Sequence, residues 1–249
     1  MDFEYFLLLF FSGLTRGSIY ALLALGYTMV YGIIQLINFA HGEIYMIGAF
    51  TALIVASVLS VAGMPALAIL VLASLVALLY SSAYGFTIEK VAYKPLRKAP
   101  RLSVLISAIG MSLFLQNYVL LAQTSNFLPF PELMPEIDIP GILGTVLTGP
   151  QLIIFAATAL VMVLLTILIK FTRMGKSMRA TSQDRTMAML VGINVNKVIS
   201  YTFIIGSFTA ALGGILISNY IGQINFFIGF IAGIKAFVYL LFGTPAEDE

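Results

Sequence analysis

Gly26-Tyr27-Thr28-Met29-Val30-Tyr31-Gly32-Ile33-Ile34-Gln35-Leu36-Ile37-Asn38-Phe39-Ala40-His41-Gly42-Glu43-Ile44-Tyr45-Met46-Ile47-Gly48-Ala49-Phe50 sets the chain's single histidine and a carboxylate between two long apolar runs. Each run is a membrane-helix candidate, and an ionisable group at membrane depth is expensive enough to be a functional hypothesis by default. The chain is expected to break and turn at Asn38 to Glu43. Asn38 is a natural N-cap and Gly42 supplies backbone freedom, so the plainer expectation is a polar turn capping two helix ends.

Working outward, the 249 residues are 60% hydrophobic and only 10% charged, whereas soluble domains carry roughly 25% charged residues. The mean hydropathy of +1.03 is concentrated in blocks of about 20 residues, each long enough to cross a hydrocarbon core as a helix. Continuous apolar blocks rather than alternating ones exclude a barrel, so the expected class is all-α: a polytopic transmembrane bundle of about six or seven segments in one domain. A net charge of +2 with no block of like charge gives no reason to expect nucleic acid. The absence of cysteine excludes disulfides, iron–sulfur clusters and thiol nucleophiles.

From Tyr5 to Ile37 the apolar run exceeds one upright crossing, and Gly13, Thr15, Arg16 and Gly17 interrupt it. A short lead-in segment followed by a span from about Gly17 is expected. Gly13, Gly17 and Ala21 recur at i+4, the small-residue spacing that lets another helix approach closely, and Arg16 is expected to snorkel to a headgroup. Further spans are read over Ile44–Ala62, Ala66–Ile88, Leu102–Ala122, Leu152–Ile169 and Val198–Ile221, with a final apolar run over Phe226–Phe242. The penultimate of these segments carries Gly206, Ala210, Gly214 and Ser218 at successive i+4 positions, a face built to pack on protein.

The connections orient the bundle. Glu89–Arg101 carries five cations, Lys170–Lys197 carries six, and Gln123–Gln151 carries none but holds Glu132, Glu136 and Asp138. The positive-inside rule makes the two basic stretches cytoplasmic and the acidic loop external. The same parity places the amino terminus outside and Asn38–Glu43 near the cytoplasmic face. Within the second basic stretch, Ser177 to Leu190 contains no helix breaker, sets Ala180, Asp184 and Ala188 on one small-to-polar ridge, and is ended by Gly192. Its methionines leave apolar surface on an otherwise basic helix, which favours docking in a groove of another protein over lying on the membrane.

Enzymatic classes find little support. One histidine cannot make the His-Glu-x-x-His of a zinc protease, and there is neither a Gly-x-Ser-x-Gly elbow nor a Gly-x-x-x-x-Gly-Lys-Ser/Thr phosphate loop. Neither a metal nor a cofactor is expected, and any ATP must be handled by a partner. His41 and Glu43 are two residues apart and do not share a helix face, which weakens acid–base work by the pair.

Gly26–Gly32, Ile37–Glu43, Ser107-Ala108-Ile109-Gly110-Met111-Ser112 and the stretch from Arg179-Ala180 to Gly192-Ile193 resemble the H-type permease subunit of bacterial branched-chain amino-acid ABC transporters. The likeness runs in order from about Phe11 to Phe237. It implies a multi-pass inner-membrane subunit of an ATP-driven importer of Leu, Ile or Val, paired with a second related permease, two cytoplasmic ATP-binding subunits and a periplasmic amino-acid-binding protein. It further implies that Arg179, Ala180, Asp184, Ala188 and Gly192 couple to the ATPase. Urea and short-chain amide permeases are similar. Family members continue past Lys235-Ala236-Phe237 with a glycine-rich stretch and more helices, so a chain truncated after Phe237 is expected. The rival from another class is an ion-coupled secondary transporter using His41 and Glu43.

Overall fold

The computed structural model describes residues 3–97, 99–135 and 146–243, with the side chains of 101 and 240–243 left aside. Lys98, the Arg101 side chain, Glu136, Asp138 and residues 244–249 thus lie outside it. Nine α-helices occur among the described residues: α1 (Phe3–Ile34), α2 (His41–Val61), α3 (Ala66–Ile88), α4 (Arg101–Ala122), α5 (Gly149–Phe171), α6 (Arg173–Gln183), α7 (Arg185–Leu190), α8 (Val195–Ile221) and α9 (Ile228–Gly243). A π-helical turn at Glu89–Tyr93 prolongs α3. Six of these helices are long and apolar enough to cross a membrane, and α9 is a shorter apolar helix. The all-α polytopic reading therefore holds.

Such helices are apolar all round, so the side that faces protein is chosen by small residues and not by an apolar stripe. Several of their hydroxyls turn back on their own backbones: Thr15 donates to the carbonyl of Phe11 at 2.7 Å, Thr202 to that of Val198 at 2.9 Å and Ser218 to that of Gly214 at 2.6 Å. This satisfies the polar groups where water is absent.

The most enclosed helix is α8, which packs on α1, α2 and α3. Its stripe performs as read: Ala210 and Ser218 are fully buried, Gly206 lies against the carbonyl of Gly26, and Gly214 lies against the carbonyl of Tyr45. The stripe on α1 does not. Gly13 and Gly17 are exposed, and a Cβ on either would meet nothing within 4 Å among the described residues. The buried face of α1 runs instead through Thr15, Ile19, Leu22, Leu23, Gly26, Tyr27 and Val30, because that face meets α8.

The expected lead-in break in α1 is likewise absent. Its 32 residues form one helix about 48 Å long, well beyond the roughly 30 Å hydrocarbon layer. Each internal glycine costs only about 1 kcal/mol, less than exposing unpaired backbone to lipid.

Contacts at the two ends agree with the charge-based parity. At one end β1 (Leu128–Pro129) pairs antiparallel with β2 (Gln223–Ile224), and Phe130 N–H donates to the Gly222 carbonyl at 2.9 Å. This joins the loop free of basic residues to the α8–α9 connection. At the opposite, basic end Tyr93 meets Asn38, Arg97 meets Asn196, and Arg185 meets the last turn of α1.

Candidate functional site: a buried polar centre linked to a basic-end segment

The 26–50 stretch does break, but not as a capped polar turn. α1 stops at Ile34, Gln35 takes a left-handed φ of 54°, and α2 begins at His41 with Ala40 in the N-cap position and no side-chain cap. Asn38 is not the cap: its Oδ1 accepts a 2.9 Å bond from the Tyr93 hydroxyl. Tyr93 stands at the end of the π-helical turn and is fully buried, so this bond is worth more to it than water would be. His41, Gly42 and Glu43 form the first turn of α2 and are all buried.

The depth of that turn follows from its neighbours. His41 lies against Gly206, which is eleven residues into α8, about 16 Å from its basic-end start. Glu43 lies against Ser112, a similar distance into α4. The first turn of α2 is therefore well inside the bundle, and the expectation that it lies near the cytoplasmic face is corrected. Residues 35–40 lead back inward from the end of α1.

His41 and Glu43 point into different seams. The His41 ring stands edge-on to Tyr27, 4.6 Å between centroids, and its Nε2 sits in the α1–α8 seam, where a Cβ on Gly26 would approach it to 2.6 Å and Thr209 lies alongside. Glu43 faces α4 and α9. Ser112 donates to its Oε1 at 2.9 Å, while Oε2 has no hydrogen-bond partner among the described residues. Gly42 carries the close approach between the starts of α2 and α9, because a side chain there would strike the Gly229 carbonyl and the Gly233 Cα.

A second buried acid was missed by the sequence reading, which assigned Glu89 to a basic loop. Glu89 is fully buried and bonded to Arg97 and to the Ser200 hydroxyl, the latter at 2.8 Å, while Arg97 also donates to Asn196. Its only sequence signal was a lone acid among five cations at the end of a span.

The basic-end segment is two helices, not one. Asp184 adopts an extended backbone with φ −151° and caps α7, its Oδ1 accepting from Thr186 N–H at 2.7 Å and Met187 N–H at 3.0 Å. The continuous ridge through Ala180, Asp184 and Ala188 is thus broken at Asp184, because an aspartate bonds free helix-start donors better than it sits mid-helix. Arg179 donates to the Ile169 carbonyl, Ala180 accepts the backbone bond from Asp184, and Ala188 is buried. Gly192 does end the segment, at φ +86°, with Gly192 N–H on the Met189 carbonyl and Ile193 N–H on the Ala188 carbonyl, the paired bonds of a Schellman motif.

A residue not singled out from the sequence ties this segment to the core. Arg185 donates to the carbonyls of Ile33 at 2.8 Å and Ile34 at 2.5 Å, which α1 cannot use internally at its last turn. Burial, then the charge of Arg97, hold its guanidinium below its ordinary pKa, yet it remains charged. Asp184→Ala is expected to loosen α7 by about 1 kcal/mol, and Gly192→Ala to strain its end by about 1–2 kcal/mol. Hydrogen exchange checks both: Met187 to Leu190 should exchange faster in each variant, with α8 unaffected.

A bundle of helices long and apolar enough to span a membrane, around buried polar groups and with a capped two-helix segment clamped to its basic end, is the architecture of a polytopic membrane protein. The chain belongs to the family described as "Branched-chain amino acid transport system / permease component", which its sequence matches over residues 9–245. It is similar to the high-affinity branched-chain amino acid transport system permease protein LivH of Salmonella typhimurium and of Escherichia coli K12. Each is 47% identical over 246 residues, covering 97% of this chain and 80% of the relative. It also resembles the corresponding protein BraD of Pseudomonas aeruginosa, 48% identical over 236 residues, 93% of this chain and 77% of that one. No solved structure matches it. The protein is accordingly a multi-pass inner-membrane transport subunit.

Proposed function

We propose that this chain is a permease subunit of an ATP-driven importer of branched-chain amino acids, and that α6 and α7 form its coupling segment. The observation that carries the coupling role is Arg185, which joins α7 to the final carbonyls of α1 and so to the 35–40 break that precedes the buried centre. The relatives' names supply the substrate class. Two cytoplasmic ATP-binding subunits, a second related permease and a periplasmic amino-acid-binding protein complete the assembly. Residues 170–197 belong to the same domain as the spans, with Arg179, Ala180, Asp184, Ala188 and Gly192 shaping the surface that the ATPase takes.

In this reading the ATPase moves the coupling segment, Arg185 pulls on the end of α1, and the start of α2 shifts against α4, α8 and α9. The chain contributes a path and a lever, while hydrolysis belongs to the partner. Asn38, His41, Gly42 and Glu43 belong to the moving element. The exposed methionines 187 and 189 on α7 offer adaptable apolar contacts for a groove.

The test is reconstitution of the complex in vesicles with labelled leucine outside. Asp184→Lys should abolish retention of the ATPase on purification. Arg185→Ala should retain the ATPase and its binding-protein-stimulated turnover while leucine uptake falls at least tenfold. Uptake of urea in preference to leucine would reassign the substrate, and proton-driven leucine uptake by the chain alone would overturn the coupling mechanism.

A further inference from the structure

We propose that Glu43, Tyr27 and Ser112 receive the α-ammonium group of the transported amino acid, an inference that rests on the permease function proposed above.

Glu43 is fully buried well inside the bundle, and Ser112 satisfies one of its two carboxyl oxygens. The other, Oε2, has no hydrogen-bond partner among the described residues, and neither does the buried Tyr27 hydroxyl. No lysine or arginine makes an ion pair with Glu43 among the described residues, where Glu89 alone is paired. Lys235, on the neighbouring α9, instead points its Nζ over the ring of Tyr20, 5.2 Å from the centroid. A carboxyl group in a low-dielectric interior with no counter-charge and a spare acceptor is costly for a purely structural role. It is suited to a cation that comes and goes.

The surroundings select the kind of cation. A cleft of about 50 Å³ is lined by Tyr27 and Ser112 together with Phe39, Ile109, Phe230 and Ile234, and Ser112 bonds Glu43 beside it. Its lining divides between hydroxyls and aliphatic and aromatic carbon. That is the division an aliphatic amino acid presents between its ammonium group and its branched side chain. An ammonium has three donors, and Glu43 Oε2, Tyr27 Oη and Ser112 Oγ supply three acceptors. His41 is not among them, because its Nε2 lies in the α1–α8 seam.

The cleft holds only a few waters, too little room for an aliphatic amino acid, so it has to widen to take one. What narrows it is the start of α9. Gly229 is close enough to Glu43 that a Cβ there would come within 2.8 Å of Oε2, and one on Gly233 would lie 3.5 Å from the Tyr27 hydroxyl. Both positions face the site with backbone alone. A shift of α9 away from the first turn of α2 opens the cleft without any side chain having to leave it.

The experiment uses the full permease–ATPase complex, purified without its binding protein, and equilibrium binding of radiolabelled leucine. Saturable binding is expected, competed by leucinamide, which keeps the ammonium, and not by 4-methylpentanoate, which lacks it. Glu43→Gln should weaken binding at least tenfold. Should that variant fail to assemble, Tyr27→Phe and Ser112→Ala decide instead, each expected to weaken binding about three- to tenfold. Unchanged leucine binding in Glu43→Gln, or in both of the other variants, overturns the assignment. So does competition by the carboxylate analogue alone, or absence of saturable binding in a complex that imports leucine when its binding protein is added. If that wild-type complex imports no leucine at all, the failure belongs to the permease reading and is recognised by the transport assay.

Discussion

Arg97→Ala is expected to destabilise the folded chain by about 3–5 kcal/mol, the loss typical when one partner of a buried ion pair is removed. Glu89 is wholly buried, and Arg97 is mostly so, with 14% of its side chain exposed. Removing the guanidinium strips Glu89 of its main counter-charge. It leaves only the Ser200 hydroxyl and Lys90, whose Nζ lies 3.8 Å away on an adjacent, half-exposed residue. The same guanidinium also bonds Asn196 in the first turn of α8, so the variant should free that helix start from the end of α3. Glu89→Leu combined with Arg97→Leu should recover most of the loss, since an apolar pair has nothing left unpaired. Denaturant unfolding in detergent micelles, run as a double-mutant cycle, measures the difference. A loss below 1 kcal/mol for Arg97→Ala would mean that water reaches Glu89.

Gly42→Ala should produce the other large effect, a loss of about 3 kcal/mol, at the upper end for overpacking. The added methyl would strike the Gly229 carbonyl and come within 2.8 Å of the Gly233 Cα. Both obstacles are backbone, so no rotamer change relieves the clash and α9 has to move off α2. Gly17→Ala is the matched control. Its methyl would meet nothing within 4 Å among the described residues, and the variant should be neutral or more stable by up to about 1 kcal/mol through helix propensity. Thermal unfolding in micelles reads both, and accelerated proteolysis between β2 and α9 should appear only in Gly42→Ala. Equal behaviour of the two glycines would contradict the packing described for α2 and α9.

These two glycines mark how far the sequence could be read. Gly13 and Gly17 have the same i+4 spacing as Gly206, Ala210 and Gly214, yet only the α8 set is enclosed by other helices. Spacing describes a face of one helix, and which helix has neighbours on that face is a property of the assembled bundle. Asn38 shows the same limit. Its residue type favours an N-cap, but a buried tyrosine hydroxyl 55 positions away claims the side chain. Asp184 shows the converse, because its capping of α7 rests on a local competition that residue type alone could have suggested.

By itself the sequence determined the class, the number of spans to within one, which connections share an end of the bundle and the end of the basic segment at Gly192. Each of these depends on quantities carried along the chain: apolar length against bilayer thickness, the placement of Lys and Arg, and a glycine free to adopt positive φ. Only the tertiary structure decided what the 26–50 stretch does. It separated His41 from Glu43, set their turn well inside the bundle and brought Ser112 and Gly229 to the carboxylate. It also carried Arg185 to the end of α1 across more than 150 positions of sequence. Those outcomes depend on which helix faces meet, and between apolar helices in lipid that is settled by close packing and by the pull of buried polar groups toward one another.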